Sequence, residues 1–160
     1  MTAHPIPPVW DESSRILILG SFPSVRSREE GFFYAHRQNR FWRLLAALFG
    51  EKEPESIEEK KRLLLKNRVA LWDVIRACEV TGSADSAIKN AEPNDISGIL
   101  AAADIKRIYA NGGKAYELYM KHIFPRTGVP AVKLPSTSPA NARCSFEQLR
   151  ESWKRILEAE

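Results

Sequence analysis

The chain predicts an α/β protein: a single three-layer α/β/α domain around a four-stranded parallel central sheet. Three observations carry this. Four short apolar runs of strand length recur along the chain, at Arg15–Gly20, Val69–Val74, Ile105–Ala110 and Val129–Leu134. The stretches between and after them show the 3.6-residue spacing of helices. Strands alternating with helices imply crossover connections and a parallel sheet covered on both faces. A length of 160 residues fits one domain, 1–160, with a real core.

Taken in order, residues 1–14, with Pro5, Pro7 and Pro8, read as an N-terminal arm lying over the domain. Arg15-Ile16-Leu17-Ile18-Leu19-Gly20 is continuously apolar, the pattern of a strand buried on both faces. A helix starts at Asn39 or Arg40 and runs through Phe49, with Phe41, Leu44, Leu45 and Leu48 on one stripe and Gly50 as its C-terminal cap. Ser56 and Glu59 form a capping box opening a helix that ends near Asn67. Val69–Val74 is the second strand. Thr81–Glu92 reads as loop with a helical turn, and Pro93-Asn94-Asp95 caps a short helix through Ala102. Ile105–Ala110 is the third strand, and Asn111-Gly112-Gly113 leads into a helix through Ile123. After the fourth strand, Cys144–Glu158 closes the chain as a helix with Phe146, Leu149, Trp153, Ile156 and Leu157 facing inward.

Bulk properties exclude several classes. No apolar run approaches the roughly 20 residues of a membrane helix, and the N-terminus lacks a secretory signal pattern. Two cysteines, Cys78 and Cys144, make a disulfide framework implausible and point to the cytoplasm. Three scattered histidines and no paired cysteines leave no metal-site signature, so no metal or cofactor is expected. The net charge of +4 is unevenly spread. Residues 51–59 carry five glutamates against one lysine, whereas 101–143 carry seven cations against two acids. The surface away from the acidic stretch suits a phosphate backbone, although solvated charged faces account for the same pattern.

Two motifs follow the first and last strands, where open parallel sheets place their sites. The first is Gly20-Ser21-Phe22-Pro23-Ser24 with Gly31-Phe32-Phe33-Tyr34-Ala35-His36-Arg37-Gln38-Asn39-Arg40-Phe41-Trp42. Aromatics beside carboxamides suit a flat, polar-edged ligand such as a nucleobase. The second is Leu134-Pro135-Ser136-Thr137-Ser138-Pro139-Ala140-Asn141. Together they resemble the two active-site motifs of the uracil-DNA glycosylase superfamily, and in particular its hypoxanthine-DNA (deoxyinosine) glycosylase branch, which is also similar to the mismatch-specific uracil glycosylases. Leu71-Trp72-Asp73-Val74-Ile75, Gly82-Ser83-Ala84-Asp85-Ser86 and Asn94-Asp95-Ile96 add to the likeness.

The resemblance implies a monofunctional glycosylase that removes a deaminated base, hypoxanthine before uracil or xanthine, and leaves an abasic site. It implies Asn39 as the catalytic residue, which orients water or hydrogen-bonds the base. Asparagine before a helix is also a favoured cap. Tyr34 falls where relatives stack an aromatic on the flipped base. Phe22 stands where mismatch-specific relatives carry their water-positioning asparagine, and it lines the base pocket or packs beneath the loop. His36 reaches the base, a phosphate, or only its own loop. The remaining DNA contacts are assigned to Ser21, Ser24, Arg37, Ser136, Thr137, Ser138, Ala140, Asn141 and Arg143, with Ala140 or Asn141 at the wedge position. A local Ser/Thr/Pro turn explains the second motif equally well. The expected partner is DNA containing deaminated bases, met by a monomer without a membrane. Asp73 either helps the site or caps a neighbouring segment. The alternatives are a non-catalytic protein that binds damaged or abasic DNA and, more remotely, a nucleoside N-ribohydrolase.

Overall fold

A computed structural model describes residues 1–80 and 88–158. The central sheet is four-stranded and parallel, built from β2 (Ile16–Gly20), β3 (Val69–Asp73), β6 (Arg107–Asn111) and β7 (Ala131–Leu134) in the order β3-β2-β6-β7. The expected central sheet is therefore present, with strand ends shifted by one or two residues.

Residues of β2 divide between two cores. Ile16 and Ile18 pack under α2 (Phe41–Phe49), α3 (Ile57–Lys66) and α7 (Phe146–Trp153). Leu17 and Leu19 pack on the opposite face with Leu118 and Tyr119 of α5 (Gly113–His122) and with Ile96, which precedes α4 (Ser97–Ala102). This two-faced burial is why the strand is apolar at every position rather than at alternate ones. Helix caps follow the sequence signals: Ser56 and Glu59 form the capping box of α3, Gly50 closes α2 at φ 66°, and Ser145 with Gln148 forms a second box at α7. The closing helix ends earlier than its pattern suggests, giving way to a 3-10 turn over Lys154–Glu158. Burial pushes the Cys78 thiol up, as suits an unreactive core thiol.

Three expectations need correction, and one helix went unread. The arm is not merely draped over the domain. Its β1 (Thr2–Ala3) pairs antiparallel with β4 (Ile75–Glu79), which pairs with β5 (Lys89–Pro93) to make a second sheet of order β1-β4-β5. Val9 bridges Leu71 further along the arm. The Thr81–Glu92 loop thus contains most of a strand; residues 81–87, including the Gly82–Ser86 string, lie outside the described residues. Of Pro93-Asn94-Asp95, Asp95 serves the start of α4, its Oδ1 accepting from Ser97 N (2.9 Å), and Asn94 does not. Asn94 is buried, and its Nδ2 donates to the carbonyls of Asp73 (2.9 Å) and Ile75 (3.2 Å), joining the two sheets. Finally, α1 (Val25–Glu30) was not anticipated, because Val-Arg-Ser-Arg-Glu-Glu offers no apolar stripe. Its signals are local: Ser24 Oγ accepts from Ser27 N, and Gly31 caps it at φ 74°.

Trp153 is fully buried and its indole donates to Pro135 O (2.9 Å), so α7 holds the start of the second motif from below. Trp153→Ala is expected to cost about 3–5 kcal/mol by cavity formation, read as a lower urea midpoint at unchanged slope.

Candidate active site

The strand order reverses at β2, which has β3 on one side and β6 on the other. Beyond the carboxyl ends of these strands lies an open cavity of roughly 1190 Å³. Both sequence motifs line it, through Gly20–Ser24, Tyr34, His36 and Asn39 from the first and Pro135–Asn141 from the second. Asp73 at the end of β3 and Asn111 at the end of β6 complete the wall.

Asn39 is fixed by its oxygen. Oδ1 accepts from the backbone N–H of Phe41 (3.0 Å) and from Thr137 Oγ1 (2.8 Å). The backbone donor settles the amide orientation, because only oxygen can accept there. The formal cap of α2 is Arg40, but Asn39 contributes the capping bond. With both acceptor positions taken, what Asn39 can offer a ligand is its NH2.

Thr137 is wholly buried, so its hydroxyl is not presented to phosphate. Instead it stands between two asparagines: Asn111 Nδ2 donates to Thr137 Oγ1 (3.1 Å), and Thr137 N donates to Asn111 Oδ1 (3.1 Å). Its place is to set Asn39. Arg40, which sequence reading passed over, joins the motifs. Its guanidinium donates to the carbonyls of Ser138 (3.1 Å), Asn141 (3.1 Å), Cys144 and, at the limit of range, Thr137 (3.5 Å), while its backbone N–H also donates to Thr137 O (3.1 Å). An arginine next to a motif residue was the only signal, and charge alone does not say that it turns inward.

Tyr34 has φ 51°, an uncommon conformation for a residue with a side chain. Its ring stacks on Phe41 at 4.2 Å between centroids and 24° between planes. One face is backed by the core aromatic while the residue lines the cavity, an arrangement that extends a stack toward a ligand. Phe22 also lines it, with the Arg28 guanidinium 5.4 Å from its ring centroid and the His4 ring edge-on at 5.8 Å. His36 is exposed at the rim, its Nδ1 accepting from Gln38 N (3.1 Å).

Within the second motif, much of the polar capacity is spent locally. Ser136 Oγ accepts from Ser138 N, Ser138 Oγ accepts from Ala140 N, and Asn141 Nδ2 donates to Ser136 O. Ser24 is likewise occupied as the cap of α1, and Ser21 is nearly buried. Ala140 is exposed at the cavity edge, while Arg37 and Arg143 are exposed outside the lining.

At the inner end His4, which sequence reading left aside, meets Asp73, for which it left open a role in the site or as a cap. His4, carried by the arm, donates from Nε2 to Asp73 Oδ2 (2.8 Å), and both side chains are almost wholly buried. Gly20 makes room for them: a Cβ there would lie 2.4 Å from Asp73 Oδ1 and 2.7 Å from the Tyr34 hydroxyl.

Comparisons with known proteins place the chain in a family. The family model of the uracil DNA glycosylase superfamily matches residues 7–157. The chain belongs to that superfamily. It is 40% identical to a hypoxanthine DNA glycosylase of Methanosarcina acetivorans, over 98% of this chain and 99% of the relative. A hypoxanthine DNA glycosylase of Methanosarcina barkeri is 37% identical over 96% of each chain. A solution NMR structure from Methanosarcina acetivorans, provisionally designated a uracil DNA glycosylase, superposes with a TM-score of 0.79 at 39% identity, covering 96% of both chains. Among the described residues no group of His, Cys, Asp or Glu is arranged to hold a metal, and no helix is long and apolar enough to cross a membrane.

Two substitutions probe the superfamily scaffold. Arg40→Lys keeps the charge but cannot span the loop carbonyls, and is expected to cost about 1–3 kcal/mol of stability. Gly20→Ala is expected to cost a similar amount, about 1–3 kcal/mol, through overpacking against Asp73 and Tyr34. Urea denaturation checks both.

Proposed function

We propose that this protein is a monofunctional DNA glycosylase that hydrolyses the N-glycosidic bond of hypoxanthine in DNA, accepts uracil less well, and leaves an abasic site for base-excision repair. The observation that carries the reading is Asn39, immobilised by its oxygen at the wall of a cavity that also presents a stacked tyrosine. The names of the two Methanosarcina relatives supply the choice of base.

On this reading the work divides as follows. The extruded nucleotide enters the cavity with its base against Tyr34, whose ring is held by Phe41; base–aromatic stacking contributes about 1–3 kcal/mol. As the glycosidic bond breaks, positive charge develops on the sugar and negative charge on the departing base. Asn39 has no acceptor left with which to take a proton from water. Its amide N–H therefore serves as a donor, stabilising the base anion where charge accumulates. Water adds to the sugar on the face opposite the base as the C–N bond breaks, its oxygen stays on the sugar, and its proton passes through solvent to the departing base anion. Because Asn39 is already held through Oδ1, this donor does not have to be ordered during the reaction.

The DNA-facing rim is assigned to Ser21, Ser24, His36, Arg37, Ser136, Ser138, Ala140, Asn141 and Arg143, through side chains or backbone groups. A rim with alanine and asparagine at the wedge position supplies little apolar area to replace a flipped base, which favours tolerance of the opposite base. The protein is taken to act as a monomer in the cytoplasm without metal or cofactor.

Removing one preorganised donor commonly costs about 10²–10³ in rate, so Asn39→Ala is expected to lower single-turnover excision of hypoxanthine by about that factor while affinity for the duplex changes little. End-labelled duplexes carrying one hypoxanthine or one uracil, cleaved with hot alkali, measure this. Cutting at uracil alone would reassign the base. Binding without cutting, equal in the wild type and Asn39→Ala, would make the protein a non-catalytic reader of damaged DNA.

A further inference from the structure

The His4–Asp73 pair has a defined polarity. Ile6 N donates to His4 Nδ1 (3.1 Å), so that nitrogen carries no proton. The ring is then a neutral imidazole whose proton sits on Nε2 and is donated to Asp73 Oδ2 (2.8 Å). Phe22, Phe33 and Trp72 surround the ring, with centroids 5.8, 6.1 and 6.4 Å away. Around Asp73, the Asn94 amide holds the backbone carbonyl (2.9 Å), and Gly20, its register partner, leaves space at Oδ1.

Asp73 is therefore a rigid carboxylate in the cavity wall, with its side chain only 4% exposed. That burial places it at the inner end. The rim residues His36 and Ala140 are exposed by contrast. In an extruded nucleotide the base penetrates deepest and the sugar stays near the rim, so Asp73 faces the base rather than the water at the sugar.

We propose that Asp73, held by His4, reads deamination itself. The inference rests on the glycosylase reading above and specifies how its substrate class is chosen. An ionised carboxylate offers acceptors and no donor. Hypoxanthine and uracil carry a ring N–H beside a carbonyl, whereas adenine and cytosine present a ring nitrogen lone pair at the same position. The carboxylate accepts from the former and repels the latter. A buried site built for one hydrogen-bonding pattern rejects the other strongly, because a desolvated polar group is left unpaired. Deamination thus converts a base that Asp73 repels into one that it binds. His4 fixes which oxygen is committed to the protein, so the pair acts as a unit although the arm that carries His4 is remote from both motifs.

The test compares hypoxanthine with 1-methylhypoxanthine, in which a methyl group replaces the ring N–H, each placed opposite thymine in the same duplex. Single-turnover excision and duplex affinity by fluorescence anisotropy are measured for the wild type, Asp73→Asn and His4→Phe, with melting curves to confirm folding. In Asp73→Asn the amide oxygen takes the His4 proton and the NH2 turns toward the base, reversing the pattern read. The expected result is a fall of about tenfold or more in preference for hypoxanthine over the methylated base, with a smaller fall in the same direction for His4→Phe. Comparing ratios between proteins removes the pairing energy of the DNA. An unchanged ratio overturns the proposal, whether both rates fall together, as for a residue acting on water or on folding, or neither falls. If the wild type cuts neither base, the glycosylase reading fails separately. An affinity preference for hypoxanthine that Asp73→Asn abolishes would still uphold Asp73 as the reader, and equal affinities in the wild type would overturn it.

Discussion

The candidate active site depends on one cation turned inward. Arg40 collects carbonyl oxygens from Thr137, Ser138, Asn141 and Cys144, and so folds the second motif around the beginning of the helix that carries the first. Loop carbonyls that converge away from water need donors, and few side chains can serve several at once. The guanidinium is suited to it, with five N–H groups in a flat fork and a charge that survives at any working pH. Hydrogen bonds to a charged group contribute about 1.5–3 kcal/mol each in favourable cases, and these share a single donor group, so they act together rather than additively. The loop's own bonds, among Ser136, Ser138, Ala140 and Asn141, shape it locally, and this cation joins that shape to the start of α2, where Thr137 meets Asn39.

From that clamp a chain of fixed polar groups runs through the site. Asn111 at the end of β6 grips Thr137 at both its amide and its hydroxyl, Thr137 grips Asn39, and Asn39 is tied again to the start of α2. Each member leaves the next with fewer rotamers. The Tyr34 ring is braced in parallel by Phe41, whose own ring packs edge-on against Trp42 and Trp153. The first apolar core and the reactive groups are thus continuous, and the ordering cost of the site is met during folding rather than at the encounter with DNA.

Much of this architecture was legible in the sequence, and the limits have physical causes. Arg15–Gly20 announces a doubly buried strand because every residue is apolar, and Ser56 with Glu59 announces a helix because both partners of the capping box are local. The two motifs were readable because they sit at strand ends, where the topology itself makes a crevice. The second sheet was not. Its β5, Lys-Asn-Ala-Glu-Pro, is polar, short and proline-ended, and becomes a strand only because β4 supplies partners. Arg40 was passed over and Thr137 assigned to DNA for a related reason: an arginine and a threonine have surface-like composition, and their inward hydrogen bonds are long-range contacts that no window of sequence contains. His4 lay in a proline-rich arm whose function depends on antiparallel pairing with Ile75–Glu79.

The position of Phe22 draws these strands of reasoning together. A superfamily member with an apolar residue where the mismatch-specific relatives carry a polar one in the first loop must find its polar groups elsewhere, and here they come from two other directions. Asn39 arrives from the helix start with only a donor to give, Asp73 arrives from the neighbouring strand with only acceptors, and Phe22 lies between loop and arm against the His4 ring. On the proposed reading, the donor of Asn39 and the acceptors of Asp73 serve the carbonyl and the ring N–H of a lactam edge. On the proposed reading the apolar substitution is compatible with a working site, because base recognition falls to residues whose orientation is set by the core.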